Sequence, residues 1–258
     1  MKKFVGVIGA TLLFAAPAVA ADLPVKAPVA PLAPVFSWSG CYVGADIGGA
    51  WSRQDVSVTT VGINQAPVGA TLSGNNAIGG LYAGCNWQFA PLWVLGFEGD
   101  FSWTQLNDSA TAPNLFADGT PVGAGGVAWS RTLDKLASLR GRLGFTVTPT
   151  FLLFATGGVA WARSDFAALD SFSDPVLGTG CPNCLGVSFT ETKTGWVAGA
   201  GIDWAPWSNN WIVRLEYLHY QFDGTSASAF FPGTSHSANF HWGDLSVDSV
   251  RAGLAYKF

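Results

Sequence analysis

Charge is scarce in this chain: charged residues make up 12% of its 258 residues against 49% hydrophobic ones, histidine occurs three times and methionine once. With 13 Lys and Arg against 17 Asp and Glu there is no clustered basic patch for a nucleic-acid partner. No Gly-x-Ser-x-Gly elbow, phosphate loop or dinucleotide fingerprint occurs. Long apolar runs are missing too. Beyond the amino end the charge-free, apolar stretch 143–162 comes nearest to imitating a transmembrane helix, and Thr148-Pro149-Thr150 breaks it in the middle while Gly157-Gly158 weakens a helix further. What is plentiful is glycine (32), tryptophan (12) and phenylalanine (18), yet mean hydropathy is only +0.29. Hydrophobicity spread so thinly suits a chain in which every second residue faces lipid.

Lys2 and Lys3, the uncharged run from Phe4 to Ala16 and the small-residue site Ala18-Val19-Ala20 read as a secretory signal peptide over 1–20, cleaved near Ala20. The alternative, an uncleaved anchor, meets an apolar run too short to span a bilayer comfortably. Residues 21–37 carry prolines at 24, 28, 31 and 34, favour extended polyproline II and read as a periplasmic leader, or alternatively as a docking segment for a periplasmic partner.

The last ten residues, 249–258, alternate strictly, with Val250, Ala252, Leu254, Tyr256 and Phe258 on one face and Ser249, Arg251, Gly253, Ala255 and Lys257 on the other. A period of two is a β-strand, and small and cationic residues opposite an apolar face describe a wet, narrow interior with lipid outside. The turn signals Ala90-Pro91-Leu92, Thr148-Pro149-Thr150 and Ala205-Pro206-Trp207 recur at nearly equal intervals, each between two alternating runs. Between them the chain must go out, loop and come back. The sequence therefore predicts an all-β fold: an eight-stranded antiparallel up-and-down transmembrane β-barrel over 38–258, with short periplasmic turns and four long extracellular loops. Strands are expected at Cys41–Ser52, Ala77–Phe89, Trp93–Gln105, Leu136–Val147, Phe151–Arg163, Thr194–Trp204, Trp211–Tyr220 and Leu245–Phe258. The segments from Arg53, Leu106, Ser164 and Gln221 are rich in Ser, Thr, Asn, Gly and Ala and read as solvated loops.

Alternation places Trp51, Trp103, Trp161 and Trp196 near the long-loop side, and Trp87, Trp93, Trp204, Trp207, Trp211 and Phe258 near the short-turn side. Two interfacial girdles follow, because an indole is apolar yet keeps one donor that wants water; core tryptophans of a soluble sandwich are the alternative. The inward phase collects five acids, Asp46, Glu98, Asp100, Asp203 and Glu216, and four arginines, Arg140, Arg142, Arg214 and Arg251. Eight strands enclose a bore that side chains nearly fill, so these charges are expected to pair. They read either as a salt-bridged plug that fixes register and closes the lumen, or as a narrow ion pathway.

Four cysteines allow three connectivities in an oxidising periplasm. Cys41 and Cys85 both lie near the short-turn side in outward phase, where they can be cross-strand neighbours. Cys181-Pro182-Asn183-Cys184 falls in the third long loop; a local disulfide is expected there, since no second pair or nearby histidine completes a metal site. His219 sits at a strand rim, and His236 and His241 share the fourth loop with Ser235, Ser237 and Asp244. Catalysis needs such groups held rigidly, so no catalytic residue is assigned. The loop aromatics Phe230, Phe231, Phe240 and Trp242 beside these histidines suggest a planar ligand such as haem, with an imidazole as axial ligand. No cofactor is assigned.

The signal peptide running into Ala21-Asp22-Leu23-Pro24, the stretch Trp38-Ser39-Gly40-Cys41-Tyr42-Val43-Gly44, the segments Gly84-Cys85-Asn86-Trp87-Gln88-Phe89 and Ala155-Thr156-Gly157-Gly158-Val159-Ala160, and the ending Arg251-Ala252-Gly253-Leu254-Ala255-Tyr256-Lys257-Phe258 resemble the small outer-membrane β-barrel family of alphaproteobacteria. That family is similar to the OmpA barrel and to opacity-type surface proteins. The resemblance implies integration among outer-membrane lipid, recognition of the terminal strand with Leu254, Tyr256 and Phe258 by the barrel-assembly machinery, and structural or surface-antigen roles with an extracellular ligand unknown. Some relatives bind haemin or are porin-like. Cysteines at 41 and 85 depart from the aromatic residues usual there, which favours a disulfide between them.

Overall fold

A computed structural model of the chain describes residues 36–62, 65–173, 180–206, 210–230 and 237–258, without the side chains of 122–124, 172–173 and 180–184. The signal segment, the leader up to residue 35, and Trp207, Phe231, Ser235 and His236 lie outside the described residues. Strands follow in order as β1 Gly40–Val61, β2 Val68–Ala90, β3 Trp93–Leu115, β4 Pro121–Thr148, β5 Phe151–Ser173, β6 Gly180–Trp204, β7 Trp211–Phe222, β8 Thr225–Phe230 and β9 Ser237–Lys257. β1 to β7 pair successively and antiparallel, β7 pairs with β9, and β9 returns to β1 from Tyr42↔Lys257 to Val61↔Ser237. β8 lies end to end with β7 along the same edge of β9, so the ring has eight strands around. Pro91-Leu92 and Pro149-Thr150 form tight turns at one end, where the sequence placed them.

Across the bilayer the outer wall is apolar. Val43, Ile47, Leu81, Phe97, Phe101, Leu139, Leu153, Leu215, Val250 and Leu254 are all exposed. Trp51, Trp103, Trp161 and Trp196 ring one edge of this band, and Trp87, Trp93, Trp204, Trp211 and Phe258 the other. Trp93 and Trp103 lie ten residues apart on β3. At ~3.3 Å per residue and a tilt of ~40° that is roughly 25 Å of height, the thickness of the lipid-facing band of such barrels.

Beyond the Trp51–Trp103 ring the strands do not give way to the expected loops. β1 continues ten residues past Trp51 and β3 twelve past Trp103, and the other hairpins extend similarly. The alternation persists with its sense reversed. Arg53, Asp55 and Ser57 face outward while Val56 and Val58 are buried; Ser130 is exposed while Trp129 and Arg131 are buried. Cys181 and Cys184 accordingly belong to β6 rather than to a loop, and their side chains lie outside the described residues. The physical reason is solvent: where water replaces lipid outside, the apolar face must turn inward.

The interior is therefore layered. A floor of Trp38, Tyr42, Tyr82, Val94, Leu152, Ile212 and Ala255 fills the short-turn end, with Phe36 packed against it. Above the ionic residues comes a collar of Ala50, Ile78, Leu106, Leu133, Leu136, Val197, Leu218, Phe222 and Val247. The extension holds a third cluster around Leu72, Trp129, Phe166, Phe240 and Trp242. Two glycines make room for the floor: a Cβ on Gly44 would stand 2.5 Å from the Tyr82 ring, and one on Gly84 would stand 2.6 Å from the Tyr42 hydroxyl. The Cys41–Cys85 pair is directly cross-strand on the outward face and forms a disulfide.

Because the extension has its own core, Trp129→Ala should loosen it by about 3–5 kcal/mol and leave the membrane ring intact. Limited proteolysis of the folded variant should show faster cleavage in 106–133, while its heat-modifiable gel shift is retained.

Candidate functional site

All nine inward charges come together in one layer between floor and collar. Glu98 is its hub. Its carboxylate lies 2.6 Å from Arg140 Nη2, 3.2 Å from Arg142 Nη1 and 2.5 Å from Arg214 Nη1, and it accepts a hydrogen bond of 2.6 Å from the Tyr42 hydroxyl. Arg142 also donates to the Tyr42 hydroxyl oxygen. Asp203 is held by Arg142 Nη2 at 2.7 Å and gripped by Arg214 through Nε at 2.7 Å and Nη2 at 3.0 Å. Such a two-pronged fork fixes a carboxylate in direction as well as distance. Arg140 reaches Glu216 at 2.7 Å and Asp100 at 3.2 Å. Glu98 on β3 and Arg214 on β7 belong to strands well separated around the ring, so their contact crosses the bore.

Arg251 forms the upper side of the layer. It donates to Ser102 Oγ and Tyr220 Oη at 2.8 Å each and to Ser249 Oγ at 3.2 Å. Its acidic partners are more distant, Asp100 at 3.5 Å and Asp46 at 4.0 Å. Aromatic faces cover the remaining guanidinium surface: Arg142 lies 3.9 Å above the Phe154 ring and Arg214 4.5 Å above Tyr82. The tyrosines, Ser102 and Ser138, which hydrogen-bonds Asp100, complete the layer. Sequence reasoning did not pick them out, although they share the inward phase of the charges.

A second, smaller set was missed because it lies where loops were expected. Arg131 pairs with Asp108 and donates to Ser52 Oγ at 2.7 Å and to Gln54 Oε1 at 3.1 Å, all of it buried in the extension. Higher up, burial raises the Asp170 carboxyl above the usual carboxylate range against the hydrogen bond of 2.7 Å it accepts from Asn114.

Of the three histidines, His236 lies outside the described residues, and His219 on β7 and His241 on β9 both face away from the barrel interior. His219 faces outward with Nδ1 2.8 Å from Asp248 Oδ1, and among the described residues no serine hydroxyl contacts it. His241 meets Ser226 at 2.8 Å on the exposed face of the extension, while Asp244 instead accepts from the Gly224 amide. Phe240 and Trp242 point into the core and Phe230 points out, so the aromatic group is split between two faces. Leu254 and Tyr256 face lipid and Phe258 is exposed at the short-turn rim, its amide donating to Cys41 O at 3.0 Å.

The family description "Outer membrane protein beta-barrel domain" matches residues 8–258. The chain belongs to that family. The 31 kDa outer-membrane immunogenic protein of Brucella melitensis biotype 1 is 31% identical over 95% of each chain. The 22 kDa outer membrane protein of Rhizobium leguminosarum bv. viciae is 27% identical over 89% of this chain and 82% of its own. Among solved structures, the OprG outer-membrane protein of Pseudomonas aeruginosa is similar at a TM-score of 0.44 and 11% identity, covering 85% of this chain and 97% of its own. The protein is thus an outer-membrane β-barrel protein.

Buried ion pairs add little net stability when intact, but removing one partner strands the others at a cost of about 3–5 kcal/mol. Glu98→Ala takes one carboxylate partner from three buried arginines at once and should lower the urea midpoint of unfolding in detergent strongly, whereas Asp46→Ala, which releases the 4.0 Å contact to Arg251, should lower it by less than half as much. Equal effects would contradict the hub assignment.

Proposed function

We propose that this is a non-enzymatic, non-conducting outer-membrane barrel whose membrane ring is a sealed base and whose extension is a rigid surface structure. The observation that carries the reading is the ionic layer bridging the bore from Glu98 to Arg214, sandwiched between an apolar floor and an apolar collar. An ion crossing here would need to break several charge-assisted bonds and then pass an apolar constriction, each unfavourable in a low-dielectric bore. The names of the Brucella relatives describe outer-membrane immunogens, and an ordered β-extension is the kind of surface such a role uses. The partners in this reading are outer-membrane lipid along the apolar wall and the barrel-assembly machinery at the terminal strand; no nucleic acid is involved.

Purified, refolded protein in planar bilayers should give no stable conductance at moderate voltage. Steady large steps from the wild type would overturn the sealed-base reading and turn Arg142 and Arg214 into pore residues. Deleting Phe258, or making Phe258→Asp, should block assembly in cells, since β9 must close against β1 and carries the terminal aromatic outside. A normal heat-modifiable barrel from the deletion would show that this end is dispensable.

A further inference from the structure

The outer wall holds an arrangement that neither the sealed base nor the extension explains. One row of the sheet runs Trp103 on β3, Lys135 on β4, Arg163 on β5, each directly opposite the next. Lys135 and Arg163 are both exposed, and among the described residues neither has an ion pair. Like charges directly opposite on a sheet face destabilise it unless something negative lies between or over them. The row sits at the outer aromatic girdle, with apolar Phe101, Leu139 and Val159 on the membrane side and polar residues such as Asn107 and Thr132 beyond.

Beside Lys135 the wall is concave. A recess of about 550 Å³ is lined by Asn76, Ala77, Trp103, Gln105, Asp134 and Lys135. It exists because the sheet is irregular there: the β3–β4 register shifts between Trp103 and Leu106, and the β4–β5 register between Leu133 and Lys135. Bulges of this kind re-aim side chains and are frequent beside sites. Gln105 and Asp134 have no side-chain hydrogen bond among the described residues. The recess therefore offers a cation, a carboxylate, an amide and an exposed indole, with a second cation next along the row.

We propose that this is a binding site for a phosphorylated glycolipid of the outer leaflet. Phosphate takes Lys135 and Arg163, sugar hydroxyls donate to Asp134 and Gln105 in the recess, Trp103 packs on the sugar face, and acyl chains lie on the apolar wall below. Each element answers one chemical part of the ligand. A phosphate alone would leave the Asp134 carboxylate unfavourably placed, and an uncharged glycolipid would leave the cation pair uncompensated. The height of the row at the boundary between apolar and polar wall is where lipid head groups lie.

The test is native mass spectrometry of full-length protein in detergent, titrated with a phosphorylated diglucosamine lipid and with its dephosphorylated form. Near a membrane surface each cation is worth about fivefold in affinity, so K135Q/R163Q should bind the phosphorylated lipid roughly thirtyfold more weakly. K135R/R163K should bind as wild type does, and the dephosphorylated lipid should bind wild type and K135Q/R163Q equally weakly. If K135Q/R163Q does not fold, K135Q alone should show about a fivefold loss. Unchanged binding by the charge-neutral variants would overturn the site. Displacement of the lipid by inorganic phosphate at equal concentration, or equally tight binding of phosphatidylglycerol, would overturn its assignment to a glycolipid.

Discussion

In hydrocarbon no backbone donor or acceptor can be left without a partner, and the rest of this molecule follows from that constraint. An open sheet is forbidden, so β9 must return to β1. The β6–β7 ladder, Gly195↔Phe222 to Trp204↔Val213, coincides with the apolar band between Trp196 and Trp204. Above Gly195, among the described residues, β6 has no ladder with β8, and that edge stands where water can satisfy it. Eight strands in turn enclose a bore too narrow to stay full of water, so the interior is built of side chains in contact.

Whether the ionic layer stabilises the barrel is a separate matter from whether it specifies it. Buried pairs roughly break even against apolar packing of the same volume. Register is different. A one-residue slip of β4 would turn Arg140 and Arg142 onto the lipid face, at about 2–4 kcal/mol each near the bilayer midplane, and would leave Glu98 without two of its three arginine partners. The layer therefore discriminates against wrong pairings far more strongly than it strengthens the right one. Asp46, 4.0 Å from Arg251, takes little part in this.

The membrane ring was legible because lipid imposes a simple code. Alternation in the terminal strand, three proline turns and the positions of tryptophan were enough to orient every spanning strand, and phase alone placed Glu98, Arg140, Asp203 and Arg214 inside. Which acid meets which arginine was not legible, since Glu98 and Arg214 are 116 residues apart and meet only across the closed bore. The extension was misread for a different reason. Val127-Ala128-Trp129-Ser130-Arg131-Thr132-Leu133 keeps the period of two, but its abundance of small and polar residues outweighed that signal, and with it Arg131 and Asp108 were lost. Trp38, which plugs the floor, lies ahead of the first strand, where no periodicity marks it.

The same constraint explains where the sheet is irregular. Among the described residues, register shifts occur between Gln54 and Val56, Gln88 and Ala90, Trp103 and Leu106, Pro113 and Leu115, Leu133 and Lys135, Thr146 and Thr148, and Asp170 and Phe172. Every one lies at or beyond an aromatic girdle, and none in the span between. A bulge leaves backbone groups unpaired, which hydrocarbon penalises by several kcal/mol and an aqueous interface does not. Two of these shifts, Trp103/Leu106 and Leu133/Lys135, lie at the outer girdle itself, where the lipid-facing ring passes into the extension with reversed polarity. That zone is also where the extra residues of the bulges, Gln105 and Asp134, stand free beside Lys135, so the handover between two solvents is what creates a recess at head-group height.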